Sequence, residues 1–148
     1  MKDKGVTLIE LIIVMIIIAI GATFIIPGIG SWIPNYRLKS ATRDIVSIMR
    51  VAQMKAVSTN MEYRVKFNQS AGSYILQYRT TIGGSWINDG EEKKLPDGIQ
   101  ISDINPDDFV AQFNPNSTST AGSIILKNKK GTQKKITISS STGKVDIE

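Results

Sequence analysis

From Leu11 to Tyr36 the chain carries no charged residue, and Ile, Val, Leu, Met and Phe fill most positions. As a helix this stretch would be roughly 39 Å long at 1.5 Å per residue, enough to cross a hydrocarbon core of about 30 Å. After Arg37 polar and apolar residues mix as in an ordinary soluble domain. A chain of 148 residues patterned in this way is one domain with an apolar appendage. Lys2 and Lys4 precede the run, so the positive-inside bias keeps the N-terminus cytoplasmic and exports the remainder.

Glu10 stands at the head of this run, and no Lys, Arg or His lies between Val6 and Tyr36 to pair with it. An ionisable group in the apolar layer costs about 2.5–3.5 kcal/mol on insertion scales, so it normally has a partner. Three readings compete. A secretory signal peptide could end at Ala19-Ile20-Gly21, but the apolar run continues to Ile33 and Glu10 interrupts its start. A plain membrane anchor gives no reason for Glu10. Cleavage between Gly5 and Val6 would create an α-amine about one helical turn from Glu10, and a staggered neighbour could bring its own amine to this acid. The pair would then select one axial stagger between copies. The acid also faces the positive end of the helix dipole.

Composition narrows the chemistry. There is no Cys, so disulfides and thiolate metal sites are excluded. There is no His either, which removes the commonest general base and metal ligand. No enzyme and no cofactor is expected. The net charge of +5 is moderate and does not by itself imply a nucleic-acid partner.

The stretch "KGVTLIELIIVMIIIAI" resembles the prepilin signature of type IV pilins and type II secretion pseudopilins. The resemblance implies a leader of residues 1–5 ending at Gly5, removed by a prepilin peptidase. It implies N-methylation of the new N-terminal Val6, and assembly through Glu10 into a helical fibre with other pseudopilins or pilins. Pro27 fits the family's proline that loosens the helix within the fibre. Val6 is a departure, since the family prefers Phe there.

Beyond Pro27, Gly28 and Gly30 a helical period resumes. Leu38, Ala41, Ile45, Ile48, Met49, Ala52 and Ala56 recur on one face, with Lys39, Arg43, Ser47 and Arg50 opposite. This predicts one long helix, kinked or softened near Pro27, that enters a head and lays its apolar stripe on a sheet. Tyr63, Val65 and Phe67 alternate with polar residues, "NQSAG" turns the chain, and Tyr74, Leu76 and Tyr78 follow. Further strands are expected at "LPDGIQI", at Phe109–Phe113, at Ser123–Lys127, at Lys134–Ser139 and at Lys144–Ile147. The fold class is α+β: an N-terminal helix packed on antiparallel strands. Residues 6–36 form the transmembrane and assembly helix. Residues 37–148 form the head, with its amphipathic helix ending at about residue 59.

This order is similar to the GspH/FimT branch of minor pseudopilins. The segment "RVAQMKAVSTNMEYRVKF", a Trp after the second strand, "LPDGI", "FNP" and "SSSTGKVDI" carry the likeness, while Asn116 stands where the branch often has Gly. The implied function is a structural minor pseudopilin of a type II secretion pseudopilus. It would be inserted in the bacterial inner membrane and then assembled in the periplasm. The alternative is a FimT-like minor pilin of a type IV pilus, serving pilus biogenesis or DNA uptake.

Lys127, Lys129, Lys130, Lys134 and Lys135 crowd one hairpin and would suit DNA phosphates. Lysines at a hairpin tip are also ordinary solvated surface, and no Arg or interleaved aromatic accompanies them. Solvated surface is the stronger reading and a DNA patch the alternative. Asp103, Asp107 and Asp108 do not match an EF-hand spacing and read as a turn around Pro106, so no metal is expected. Trp32 and Tyr36 read as interfacial aromatics, and Trp86 as sheet packing.

Overall fold

A computed structural model describes residues 5–80, 83–105 and 110–148 of the chain, without the side chains of residues 24–29 and 31. Its first element, α1, is a helix over Leu8–Thr59. Nine strands follow: β1 (Glu62–Asn68), β2 (Ser73–Arg79), β3 (Ile87–Asn88), β4 (Lys93–Lys94), β5 (Ile99–Asn105), β6 (Ala111–Phe113), β7 (Gly122–Asn128), β8 (Gln133–Ile138) and β9 (Val145–Ile147). The chain divides into two units, Met1–Ile33 and Pro34–Glu148.

In the second unit α1 buries Leu38, Ala41, Ile45, Val46, Met49, Ala52 and Ala56, while Lys39, Arg43, Ser47 and Arg50 stay exposed. The stripe is wider than the periodicity suggests. Val46 and Thr42 are buried too, and the Thr42 hydroxyl donates 2.8 Å to the Leu38 carbonyl, so its burial leaves no unmet donor. Ile48 is only partly buried. Each large apolar side chain taken out of water here contributes about 1.5–3 kcal/mol before entropy is charged against it. The helix ends at Asn60, whose φ of +56° is the left-handed conformation that follows many helices and that Asn tolerates well.

The strands form two antiparallel sheets, a correction to the single sheet expected. One has the order β3-β2-β1-β6 with β4 also on β2, and the other has the order β5-β7-β8-β9. Val65 and Leu76 from the first sheet and Ile124, Leu126 and Ile136 from the second join the helix stripe in one core. The strands β3 and β4 were not foreseen. At two residues each they are too short to show an alternation, and they exist as pairings along one side of β2. The Lys55 ammonium meets a carboxylate oxygen of Asp89 at 2.7 Å and ties the helix to the loop between them. That hydrogen bond raises the Lys55 pKa, against a smaller lowering by burial.

Two expectations fall on undescribed parts. The side chains of Pro27 and Gly28 lie outside the described residues, although α1 is assigned as helix through them. Pro106, Asp107, Asp108 and Phe109 also lie outside them, so β6 is described only from Ala111.

The closing "SSSTG" loop is fitted to the helix at one point. Gln53 Nε2 donates 3.1 Å to the Thr142 carbonyl. Next to it Gly143 holds φ +63°, and a Cβ there would stand 2.6 Å from Gln53 Nε2. Gly72 has a similar φ of +61° but open space around it. Gly72→Ala should therefore cost about 1 kcal/mol for backbone strain alone. Gly143→Ala should cost about 2 kcal/mol because the Gln53 amide must also swing away and lose its bond to the Thr142 carbonyl. Denaturant unfolding of the detergent-solubilised chain checks this, and equal losses at the two sites would refute the contact.

Candidate functional site

Thr7 precedes the first residue of α1 and caps it. The Leu11 amide donates 3.2 Å to the Thr7 carbonyl and the Glu10 amide donates 3.4 Å to the Thr7 hydroxyl. Thr7 and Glu10 thus occupy the first and last positions of a Ser/Thr-x-x-Glu capping pattern. The sequence reading missed Thr7, though the signal was there in "TLIE". The bond to Thr7 uses the Glu10 amide and not its carboxylate, so the cap gives no reason for an acid at this position. It is exposed, and no Lys, Arg or other cation pairs with it among the described residues.

Gly5 is informative by contrast with Gly143. Nothing lies within 4 Å of where its Cβ would be, and its φ is not in the left-handed region. The fold therefore gives no reason for glycine at this position. The apolar residues that follow have no protein cover either: Val6 is 72% exposed, Leu8 78%, and the large apolar side chains from Ile9 to Ile20 are exposed with them. Apolar surface on this scale marks contact with another molecule or with lipid. Among the described residues no helix is long and apolar enough to cross a membrane. The first unbroken run of described side chains in α1 ends at Thr23, a rise of about 24 Å from Leu8 against a hydrocarbon core of about 30 Å. Trp32 and Tyr36 are both exposed.

The five lysines of the hairpin do not form one surface. Buried Ile124, Leu126 and Asn128 alternate with Lys127 on β7, so Lys127 points to the outer face of its sheet. On β8, Lys134 shares the inward face with Ile136 and Ile138, while Lys135 lies on the outer face opposite Ile125. Lys129 and Lys130 sit in the turn, and the Lys129 stem lies across Gly98. What organises the turn is Asn128, 4% exposed. Its Oδ1 accepts from the amides of Lys130 and Thr132 at 3.0 Å each, and its Nδ2 donates 2.9 Å to Asn35 Oδ1 on the helix. This joint went unread because Asn in an "NKKG" turn needs no such role to explain it.

Trp86 is half-buried on the first sheet with two guanidinium groups near its ring, Arg64 at 4.0 Å and Arg79 at 4.7 Å from the ring centroid. Arg79 pairs with Glu62, and Arg64 Nε donates 2.8 Å to Gln77. Burial, and then the like charge of Arg79, lowers the Arg64 pKa. This is cation–π packing on a sheet face. Asn116, the departure near "FNP", is explained locally. Its Oδ1 accepts from the Thr118 amide and hydroxyl, and the left-handed residue of the turn is Ser117, so glycine is not required at 116.

Comparison with known proteins agrees with this geometry. The prokaryotic N-terminal methylation motif matches residues 1–26, and the type II transport protein GspH matches residues 41–142. The chain belongs to the GspH family. Two solved structures of the minor pseudopilin EpsH from the type II secretion system of Vibrio cholerae share its fold. Both are 12% identical to this chain. One has a TM-score of 0.63 and covers 76% of this chain and 96% of EpsH, and the other has a TM-score of 0.60 and covers 78% and 94%. No protein of curated function matches the chain.

Because the hairpin lysines are divided between two faces and a tip, they present no continuous track for a phosphate backbone. The full chain in detergent should show no appreciable DNA affinity near physiological salt. A micromolar Kd that weakens steeply with salt and disappears on changing Lys129, Lys130 and Lys134 to Ala would overturn this reading.

Proposed function

We propose that this member of the GspH family is a minor pseudopilin, a structural subunit of a type II secretion pseudopilus with no chemistry of its own. The observation that carries the proposal is the pairing of a GspH-type head with an uncovered apolar helix whose first residues are not explained by the fold. Gly5 is free of steric and backbone demands, which fits recognition by a prepilin peptidase rather than a structural need. Residues 1–5 are then the leader, and residues 6–36 hold the subunit in the inner membrane until assembly. Residues 37–148 are the periplasmic head. Pro27 gives the helix freedom to adjust within the fibre.

In this mechanism cleavage after Gly5 exposes the Val6 amine, which is N-methylated and remains a cation. Glu10 meets such an amine on a neighbouring subunit. Two groups that are each unfavourable in the apolar layer neutralise one another only at one axial stagger, so the pair sets register as well as contact. The exposed apolar surface of the helix is then covered by the helices of other subunits instead of lipid.

Two variants test this. Gly5→Val should leave the leader attached, as intact mass of the membrane-extracted protein would show. Wild-type protein that keeps residues 1–5 in cells with an active prepilin peptidase would sink the assignment. The charge of Glu10 must be separated from its size. Gln keeps the size of Glu without the charge, so Glu10→Gln should fail to enter sheared fibres as completely as Glu10→Ala, while both insert and are cleaved. Incorporation of the Gln variant at the wild-type level would show that the charge of Glu10 is not needed for assembly.

A further inference from the structure

The described sheet edges are not equally protected, and one stands open. An edge strand presents unpaired main-chain groups and is usually blunted. On β5 a bulge between Ile101 and Asp103 breaks the ladder, and Gln69 Nε2 donates to the carbonyls of Ile101 and Ser102 at 3.3 and 3.4 Å. On β6 the Gln112 amide donates to the Thr120 hydroxyl and the Gln112 carbonyl accepts from the Thr120 amide, which closes that side. The edge beyond β2 is split into the two-residue strands β3 and β4.

The strand β9, three residues long, carries no bulge and no side-chain bond on its outer main-chain groups among the described residues. Its bonds to β8 pair Lys135 with Glu148 and Ser139 with Lys144. Antiparallel bonding alternates along a strand, so Ile147 and Val145 are the non-bonded positions and turn their N–H and C=O groups away from β8. Among the described residues no further strand lies on that side. Beside it runs a groove of about 450 Å³ between α1 and the end of the sheet. Leu38, Thr42 and the 45%-exposed Ile147 give it an apolar wall. Lys39, Arg43 and Lys134 surround it with three cations, no acid lines it, and none of the three forms an ion pair among the described residues.

We propose that β9 and this groove receive an extended segment of another fibre subunit, added as a strand antiparallel or parallel to β9, with an acidic side chain flanked by apolar ones. The main-chain groups of Val145 and Ile147 supply the ladder, the wall of Leu38 and Ile147 takes the apolar side chains, and Lys39, Arg43 and Lys134 select the acid. The same three cations would repel the lysine-rich hairpin of another copy. They thus guard the edge against self-pairing while leaving it open to a partner of opposite charge. The inference rests on the proposed fibre role and adds a site and a mode of recognition to it.

The test is amide hydrogen exchange of the full-length chain, once in detergent and once in sheared fibres assembled with its partner subunits. The Val145 and Ile147 amides should exchange at least about tenfold more slowly in the fibre. The triple variant Lys39→Glu, Arg43→Glu, Lys134→Glu should lose this protection while its head remains folded by circular dichroism. A second variant, Ile147→Pro, removes one outward N–H at an exposed position and should weaken the protection at Val145. Fibres that contain the chain but leave both amides open would overturn the strand-addition proposal and leave the pseudopilin reading standing. Absence of the chain from fibres would overturn both. Loss of binding to anionic phosphatidylglycerol vesicles on the triple substitution, with the amides still open in the fibre, would assign the cations to lipid and reject the strand.

Discussion

One helix has to satisfy two different surroundings, and the rest of the structure follows from that constraint. Between Leu38 and Ala56, α1 is amphipathic and its apolar side is sealed by two sheets. Between Leu8 and Ile20 every large apolar side chain of the helix is exposed, and Glu10 is the one charged residue there. The uncovered length must therefore be met by lipid, by other helices or by each in turn. A subunit that is stored in a membrane and later assembled into a fibre is a physical answer to that requirement.

The parts of the head written in short-range patterns were legible. The alternation of Tyr63, Val65 and Phe67 and its continuation through Tyr74 and Leu76 give the β1–β2 hairpin, in which the structure sets Val65 opposite Leu76. The three- and four-residue spacing from Leu38 to Ala56 gives the buried face of the helix. The division into two sheets was not legible, since alternation tells a strand which side is inside but not which strand lies beside it. Likewise β3 and β4 are made by their pairing with β2 and leave no period of their own. The separation of Lys134 from Lys135 could have been read, because adjacent residues in a strand face opposite sides. Their clustering in sequence masked it.

The candidate site was legible for a different reason. Fold-determined residues show their purpose once the structure is known: Gly143 is needed because a Cβ would strike Gln53, Asn60 because the chain turns left-handed after the helix, and Asn128 because it joins the hairpin to Asn35. Gly5, Val6 and the charge of Glu10 gain no such explanation. Thr7 differs, since capping accounts for it.

That contrast points to the side chains through which the chain meets other molecules. A side chain whose identity the chain's own packing, hydrogen bonding and backbone geometry do not require must be explained by something outside the chain, or by nothing. At Gly5 and Glu10 the proposed outside explanation is specific, because a cut after Gly5 would create an amine about one turn from the acid of Glu10. At β9 the reasoning is the same, with main-chain groups in place of side chains. Three other edges carry a bulge, a bonded Thr120 or a break into two-residue strands, and β9, though short, carries none of these among the described residues. Cations around an open strand deter copies of the same basic chain, yet they attract an acidic partner. Charge at this edge thereby acts as a filter on who can pair.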